Sequence, residues 1–208
     1  MPGSEKIRTA LFGGTFNPLH NGHIAIARSV IEQNLADEVW LLVTPCNPWK
    51  KGHKLLDDRL RYEMVAEAVK DMKGVKASDY EFSLPKPSYT ANTLRHISTD
   101  YPDRQFILTI GADNWVKFND WREADYILEN YPIIVYPRQG FETGTLPEGT
   151  SLLDCPLVNV SSTQLRRMLK RGKPIDELVP ASVARTIAEK CLYTELRAER
   201  SISGGRKA

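Results

Sequence analysis

Thr9 to Val30 read TALFGGTFNPLHNGHIAIARSV. A short apolar run, "TALF", reads as a buried strand. A Gly/Pro loop follows, and "HIAIARSVIEQN" then places Ile24, Ile26, Ala27 and Val30 at helical spacing. Strand, loop and helix in immediate succession form the first half of a βαβ unit. The glycines let the backbone turn tightly and approach a ligand, Pro18 stiffens the loop, and His23 falls at the helix start. A helix N-terminus offers free N–H groups and a partial positive charge suited to phosphate. Two of the four histidines of the chain, His20 and His23, lie three residues apart in this stretch, where each can donate a hydrogen bond to phosphate oxygens. The loop lacks both the G-x-G-x-x-G spacing of a dinucleotide fold and the G-K-[ST] of a Walker A motif. Taken singly, such glycines make only a turn and such histidines only cap a helix.

The same alternation runs along the chain. "TALF", "EVWLLVT", "VKASDYEFS", "QFILTIG", "PIIVYP" and "PLVNV" read as strands. "DDRLRYEMVAEAVKDM", "TANTLRHISTDY" and "WREADYILENY" read as the helices between them. Alternating strands and helices predict an α/β fold, Rossmann-like and doubly wound, with a mostly parallel sheet. "STQLRRMLKRG" and "PASVARTIAEKCLY" have no strand between them and predict a C-terminal helical pair. With 208 residues the chain suffices for one core, so a single domain is expected over 1–196, with a frayed polar tail over 197–208. The Gly/Pro stretch "RQGFETGTLPEGT" reads as a loop.

Twenty-eight basic residues against 26 acidic ones leave a net charge of +2, which argues against nucleic acid as a partner and against an anionic membrane surface. The apolar runs are too short to span a bilayer and the N-terminus lacks a signal-type apolar core, so a cytoplasmic location is expected. Cys46, Cys155 and Cys191 are widely spaced and odd in number, as reduced thiols are. No Cys/His spacing of the zinc kind occurs, and no protein-held metal is expected. His96 reads as a packing or surface residue and Trp115 as core.

In a parallel sheet, ligands bind beyond the carboxyl ends of the strands. That rule sets "GGTFNPLHNGH", "TPCNPWKKGHK", "GADNWVKFNDW" and "VSSTQLRRM" on one rim. In the last of these, Ser161, Ser162 and Thr163 stand where a strand becomes a helix, with Arg166 one turn on. Hydroxyls and free amides there bind phosphate, and a guanidinium can bridge two oxygens. Ser161 with Gln164 also makes a capping box on an amphipathic helix with a basic face.

"GGTFNPLHNGH" resembles the G-x-F-x-P-x-H-x-G-H signature of the nucleotidyltransferase α/β phosphodiesterase superfamily, and "VSSTQLR" its I-S-S-T-x-x-R element, with Val for Ile. Together with "PSYTANTL" and "IGADNWVKFNDW", in this order, the chain resembles the bacterial nicotinate-nucleotide adenylyltransferases from about Arg8 to about Tyr193. His20, where phosphopantetheine adenylyltransferases carry Thr, favours that family. The resemblance implies adenylyl transfer from ATP to nicotinate mononucleotide in NAD biosynthesis, with Mg²⁺ accompanying ATP. It implies His20, His23 and Arg166 as catalytic residues. Gly13, Gly14, Thr15, Phe16, Asp113, Ser162 and Thr163 would form the ATP and phosphate site, and Tyr89, Thr90 and Trp121 the nicotinate site. A homo-oligomer is compatible with it. "NPWKKGHK" departs from the family's P-P-H-K, so Lys50, Lys51, His53 and Lys54 read equally well as phosphate contacts or as a solvated basic loop. Arg61 matches a family arginine, although a surface position is the default for a helical arginine. A sister nucleotidyltransferase acting on nicotinamide mononucleotide, phosphopantetheine or a cytidylyl acceptor is the alternative enzyme. A non-catalytic nucleotide-binding module is the alternative outside enzymes.

Overall fold

In the computed structural model, residues 5–45, 55–156 and 160–194 are described. β1 (Ile7–Gly14), β2 (Glu38–Val43), β3 (Val75–Ser78), β4 (Arg104–Gly111), β5 (Ile133–Tyr136) and β6 (Thr150–Leu152) form one sheet in the order β3-β2-β1-β4-β5-β6. Every neighbouring pair is parallel, with Gly13 opposite Leu42 on one side of β1 and Phe12 opposite Thr109 on the other.

Both faces are covered, which is why β5 is buried throughout and β2 from Val39 to Val43. Alternate residues of β1 divide between two cores. Ala10 and Phe12 join Ile26, Ala27 and Val30 of α1 (Asn21–Glu32) and Met64 and Val65 of α2 (Asp58–Val69). Leu11 joins Leu94 and Ile97 of α3 (Thr90–Asp100). The short α4 (Ala112–Trp115) follows β4, and α5 (Ala124–Asn130) contributes Ile127 to the second core. The C-terminal pair, α6 (Ser162–Lys170) and α7 (Ala181–Glu189), sets Leu165, Val183 and Ile187 into the first core. The doubly wound fold expected from the alternation of elements is therefore present. No helix among the described residues is long and apolar enough to cross a membrane.

One expected strand is shorter than expected: "VKASDYEFS" is a strand only to Ser78; Ser78 Oγ accepts from Tyr80 N at 3.3 Å, and Tyr80–Ser83 coil into a 3₁₀ turn. Of "PLVNV", Leu157 to Asn159 lie outside the described residues; the sixth strand of the described sheet, Thr150–Leu152, was not expected. An edge strand of three residues, paired on one side and largely exposed, needs no apolar run, so pattern reading passes over it.

The topology fixes the site. β1 and β4 are neighbours whose following helices, α1 and α4, leave toward opposite faces, the switch point at which a doubly wound sheet forms a ligand crevice beyond its strands' carboxyl ends.

Candidate active site

β1 runs out at Gly14, where a Cβ would stand 3.0 Å from the Phe16 ring, so this close approach suits glycine. Phe16 takes a left-handed backbone (φ 41°). Its ring is buried and meets Phe12 and His23 edge-on at 5.9 and 5.0 Å. Phe16, placed by resemblance among the ATP-binding residues, thus offers a ligand its main chain only; its side chain props His23. His20 is the N-cap of α1, and its ring stacks on His23 at 3.6 Å. The His20 N–H donates to His23 Nδ1 at 3.2 Å. An accepting Nδ1 carries no proton, so the His23 ring N–H is at Nε2. Burial, aided by the nearby positive Arg138, pushes His20 down to about 4, so at neutral pH it is an uncharged donor.

α6 closes on this loop from far along the chain. Ser161 caps the helix, its Oγ accepting from Gln164 N at 3.2 Å. Ser162 Oγ donates to Pro18 O at 2.9 Å, and Arg166 donates through Nη1 to Asn17 O at 2.8 Å and through Nη2 to Thr163 Oγ1 at 3.1 Å. The two phosphate-type motifs therefore share one place. Ser162 spends its proton on the loop and presents a ligand with lone pairs, whereas Thr163 is exposed.

Arg61 is no surface residue: it is wholly buried. Its guanidinium donates to Thr15 O (2.5 Å), Thr44 O (3.1 Å) and Leu56 O (3.1 Å), and pairs with Asp58 at 2.5 Å. It ties the loops after β1 and β2 together from behind. Nothing in helical periodicity announces this, because its partners are mainly backbone carbonyls.

Across the crevice, Tyr89 is the N-cap of α3 and supplies no side-chain cap, which leaves the first-turn amides beginning at Thr90 without that partner. Trp121 follows a 3₁₀ turn (Phe118–Asp120) and leans on Phe118 at 5.3 Å. The Arg122 guanidinium sits 4.9 Å from the centre of the Tyr89 ring and joins the two segments. Tyr89, Thr90 and Trp121 are each half-buried, with surface left for a ligand.

Between these ends lies Asp113, just beyond β4. A Cβ on Gly111 would collide with Asp113 Oδ1 and stand 2.9 Å from the Tyr136 ring, so the carboxylate packs where only glycine fits. Arg138 Nε lies 3.5 Å from Asp113 Oδ1. Sequence reading missed Arg138, although it follows the carboxyl end of β5 and the rim rule applies to it as to the others. It also gave no role to Asn17 or Tyr193. Lys50, Lys51, His53 and Lys54 lie outside the described residues. His96 is exposed, and Trp115 packs on Phe118 at 5.4 Å. Among the described residues no group of three or more His, Cys, Asp or Glu side chains could hold a metal ion.

Comparison with known proteins gives a consistent picture. The model of a family described as cytidylyltransferase-like matches residues 11–168. A "probable nicotinate-nucleotide adenylyltransferase" of Bacteroides fragilis is 41% identical over 186 residues, 88% of this chain and 92% of the relative. Its counterpart in Flavobacterium johnsoniae is 43% identical over 185 residues, 85% and 94% of the two chains. Among solved structures, nicotinic acid mononucleotide adenylyltransferase of Plasmodium falciparum complexed with NaAD superposes with a TM-score of 0.74, covering 90% of this chain and 97% of that one. At 19% identity that likeness is one of fold.

Proposed function

The chain belongs to the cytidylyltransferase-like family and to the nicotinate-nucleotide adenylyltransferases, and on that premise we propose that it joins ATP to nicotinate mononucleotide within the crevice described above. The products are nicotinate adenine dinucleotide and pyrophosphate, in NAD biosynthesis. The observation that carries the site assignment is the junction of Asn17 and Pro18 with Arg166 and Ser162, which gathers two phosphate-type motifs at the mouth of β1.

The 5′-phosphate of the mononucleotide attacks the α-phosphorus of ATP in line; one P–O bond forms as the bond to pyrophosphate breaks. The attacking phosphate is already ionised, so no general base is needed. Positioning and charge stabilisation carry the rate. Main-chain groups of Gly13, Gly14 and Thr15 face the phosphates. His23 donates from Nε2, and the neutral His20 beside it donates without adding a charge. Arg166, oriented by Asn17 O and Thr163, holds the triphosphate tail together with the Thr163 hydroxyl and the main-chain N–H of Ser162 at the start of α6, the Ser162 hydroxyl being spent on Pro18 O. Asp113 receives a ribose hydroxyl, and Tyr89, Thr90 and Trp121 take the nicotinate ring. Mg²⁺ arriving with ATP would offset phosphate charge; the residues present fit an ion that draws its ligands from phosphate oxygens and water rather than from a carboxylate cage.

Purified protein incubated with ATP, Mg²⁺ and nicotinate mononucleotide should release pyrophosphate and form the dinucleotide. Folded protein that releases none under saturating conditions would refute the assignment. His23→Ala should lower turnover by about 10²- to 10³-fold, the usual cost of a lost charge-stabilising donor.

A further inference from the structure

Asn17 has no counterpart among the ligand contacts just assigned, yet it is 98% buried at the centre of the phosphate loop, with 2% of its surface exposed. Three segments converge on it. Arg166 of α6 donates to its main-chain oxygen at 2.8 Å, Tyr193 Oη donates to its Oδ1 at 2.7 Å, and Leu56 N, leading into α2, reaches the same Oδ1 at 3.4 Å. Tyr193 comes from the last described turn of the chain, 176 residues away. That turn is shaped for the purpose. After α7, Cys191 and Tyr193 both take left-handed backbones (φ 49° and 60°), a conformation that non-glycine residues adopt at a cost. Leu192 N bonds back to Ile187 O at 3.0 Å, and Thr194 Oγ1 to Cys191 O at 2.7 Å.

We infer that Asn17 and Tyr193 are positioning residues for Arg166: the C-terminal turn fixes the Asn17 side chain, and the Asn17 carbonyl fixes the guanidinium that holds the triphosphate. This rests on the adenylyl-transfer reading of the site. Arg166 has a long side chain with many rotamers, and its contribution depends on where Nη1 is anchored. Displacement of about 1 Å at a reacting centre can cost about 10²-fold in rate. Burial raises the Tyr193 phenol further than the neighbouring Arg166 and Arg61 lower it, so the hydroxyl remains a donor across the working pH range. The geometry also gives α7 a task beyond packing. Asn21 N and Nδ2 are held by Leu178 O and Glu177 O, both at 2.9 Å, so the segment before α7 grips the start of α1 while the turn after α7 grips the loop before it.

The test is a double-mutant cycle on Tyr193→Phe, which removes one hydroxyl, and Arg166→Ala, each measured for kcat and for KM of both substrates. With Arg166 present, Tyr193→Phe should lower kcat about three- to tenfold, the rate equivalent of one neutral hydrogen bond, with KM for nicotinate mononucleotide unchanged. In the Arg166→Ala background it should change nothing further. An equal loss in both backgrounds, or no loss beside Arg166, overturns the inference. Asn17→Ala, which keeps the main-chain carbonyl but removes the acceptor for Tyr193, gives the same decision should Tyr193→Phe fail to fold. The wild-type rate, measured first, reports on the reaction itself. If a different mononucleotide proves to be the acceptor, equilibrium binding of ATP to the four proteins still reads the coupling.

Discussion

The end of the crevice proposed for phosphate, where Thr15 to His23 meet Ser161 to Arg166, is fastened by the buried Arg61 and the half-buried Ser162 and Arg166, each bonded to main-chain carbonyls. The end proposed for the acceptor, where Tyr89 and Thr90 meet Trp121 and the exposed Arg122, is held by ring and cation contacts. The two ends meet different demands. Charge stabilisation requires donors that are already in place and need not reorganise, which favours a dry, cross-tied loop. Recognition of a flat aromatic acid requires a surface to stack on and a few unspent donors, which an uncapped helix start beside half-buried rings provides.

The sharpest way to break this contrast is to cut the tie beneath the phosphate end. Arg61→Met keeps most of the apolar stem but strands the carbonyls of Thr15, Thr44 and Leu56, while the part-exposed Asp58 keeps Lys86 at 3.5 Å. A buried polar group left without its partner costs about 1–3 kcal/mol, and with three carbonyls affected urea unfolding should show a loss of at least about 3 kcal/mol. Arg61→Lys should recover part of it, since an ammonium keeps the charge but cannot span the same set of oxygens. A variant as stable as the wild type would mean that the loop is not held from behind.

The second test exploits the burial of His20. Its pKa is about 4 in the folded protein against the ordinary 6.5, so above pH 6.5 both folded and unfolded chains leave it neutral. Between pH 6.5 and 4 the unfolded chain binds a proton that the folded chain refuses. Stability therefore falls as pH falls through that window, and His20 stops contributing to the slope below it. The integrated loss is on the order of 3 kcal/mol. Urea midpoints measured from pH 7 to 4 should fall less steeply for His20→Gln. Identical slopes would show that His20 is not kept neutral by the phosphate end.

How far each end could be read in the sequence follows from the same contrast. The sheet was legible because buried parallel strands carry continuous apolar runs, and the rim because strand ends and loops follow in order. β6 was not, since an exposed edge lacks that signal. His20, His23, Ser162, Thr163 and Arg166 stood out as residue types at telling spacings. Arg61, Asn17 and Tyr193 did not, because what makes them matter is which distant carbonyl, amide or hydroxyl they meet. Asp113 was marked by resemblance, but the Gly111 that makes room for it and the Arg138 beside it became visible only when β4 and β5 were set side by side. A helix such as α2 reads correctly as a helix while hiding which of its polar residues faces inward.

The smallest expected effect sharpens the acceptor end: the enzyme should prefer nicotinate mononucleotide to its amide. α3 begins at Thr90 with no side-chain cap from Tyr89, and its dipole places partial positive charge at those amides. Just before it, Ser88 Oγ is buried and without a hydrogen-bond partner among the described residues. A carboxylate can accept from such donors on both oxygens. A carboxamide turns one NH₂ toward them and leaves a donor facing donors. Stacking on Trp121 serves both rings about equally, so it supplies affinity without choice. An unpaired buried polar group costs about 1–3 kcal/mol, which corresponds to roughly a ten- to hundredfold preference in kcat/KM. Trp121→Ala should weaken both substrates alike and leave their ratio intact, whereas Ser88→Ala should narrow the ratio. Equal kcat/KM values for acid and amide in the wild type would show that the helix start does not read the carboxylate, and a ratio that collapses with Trp121→Ala would move the discrimination onto the ring.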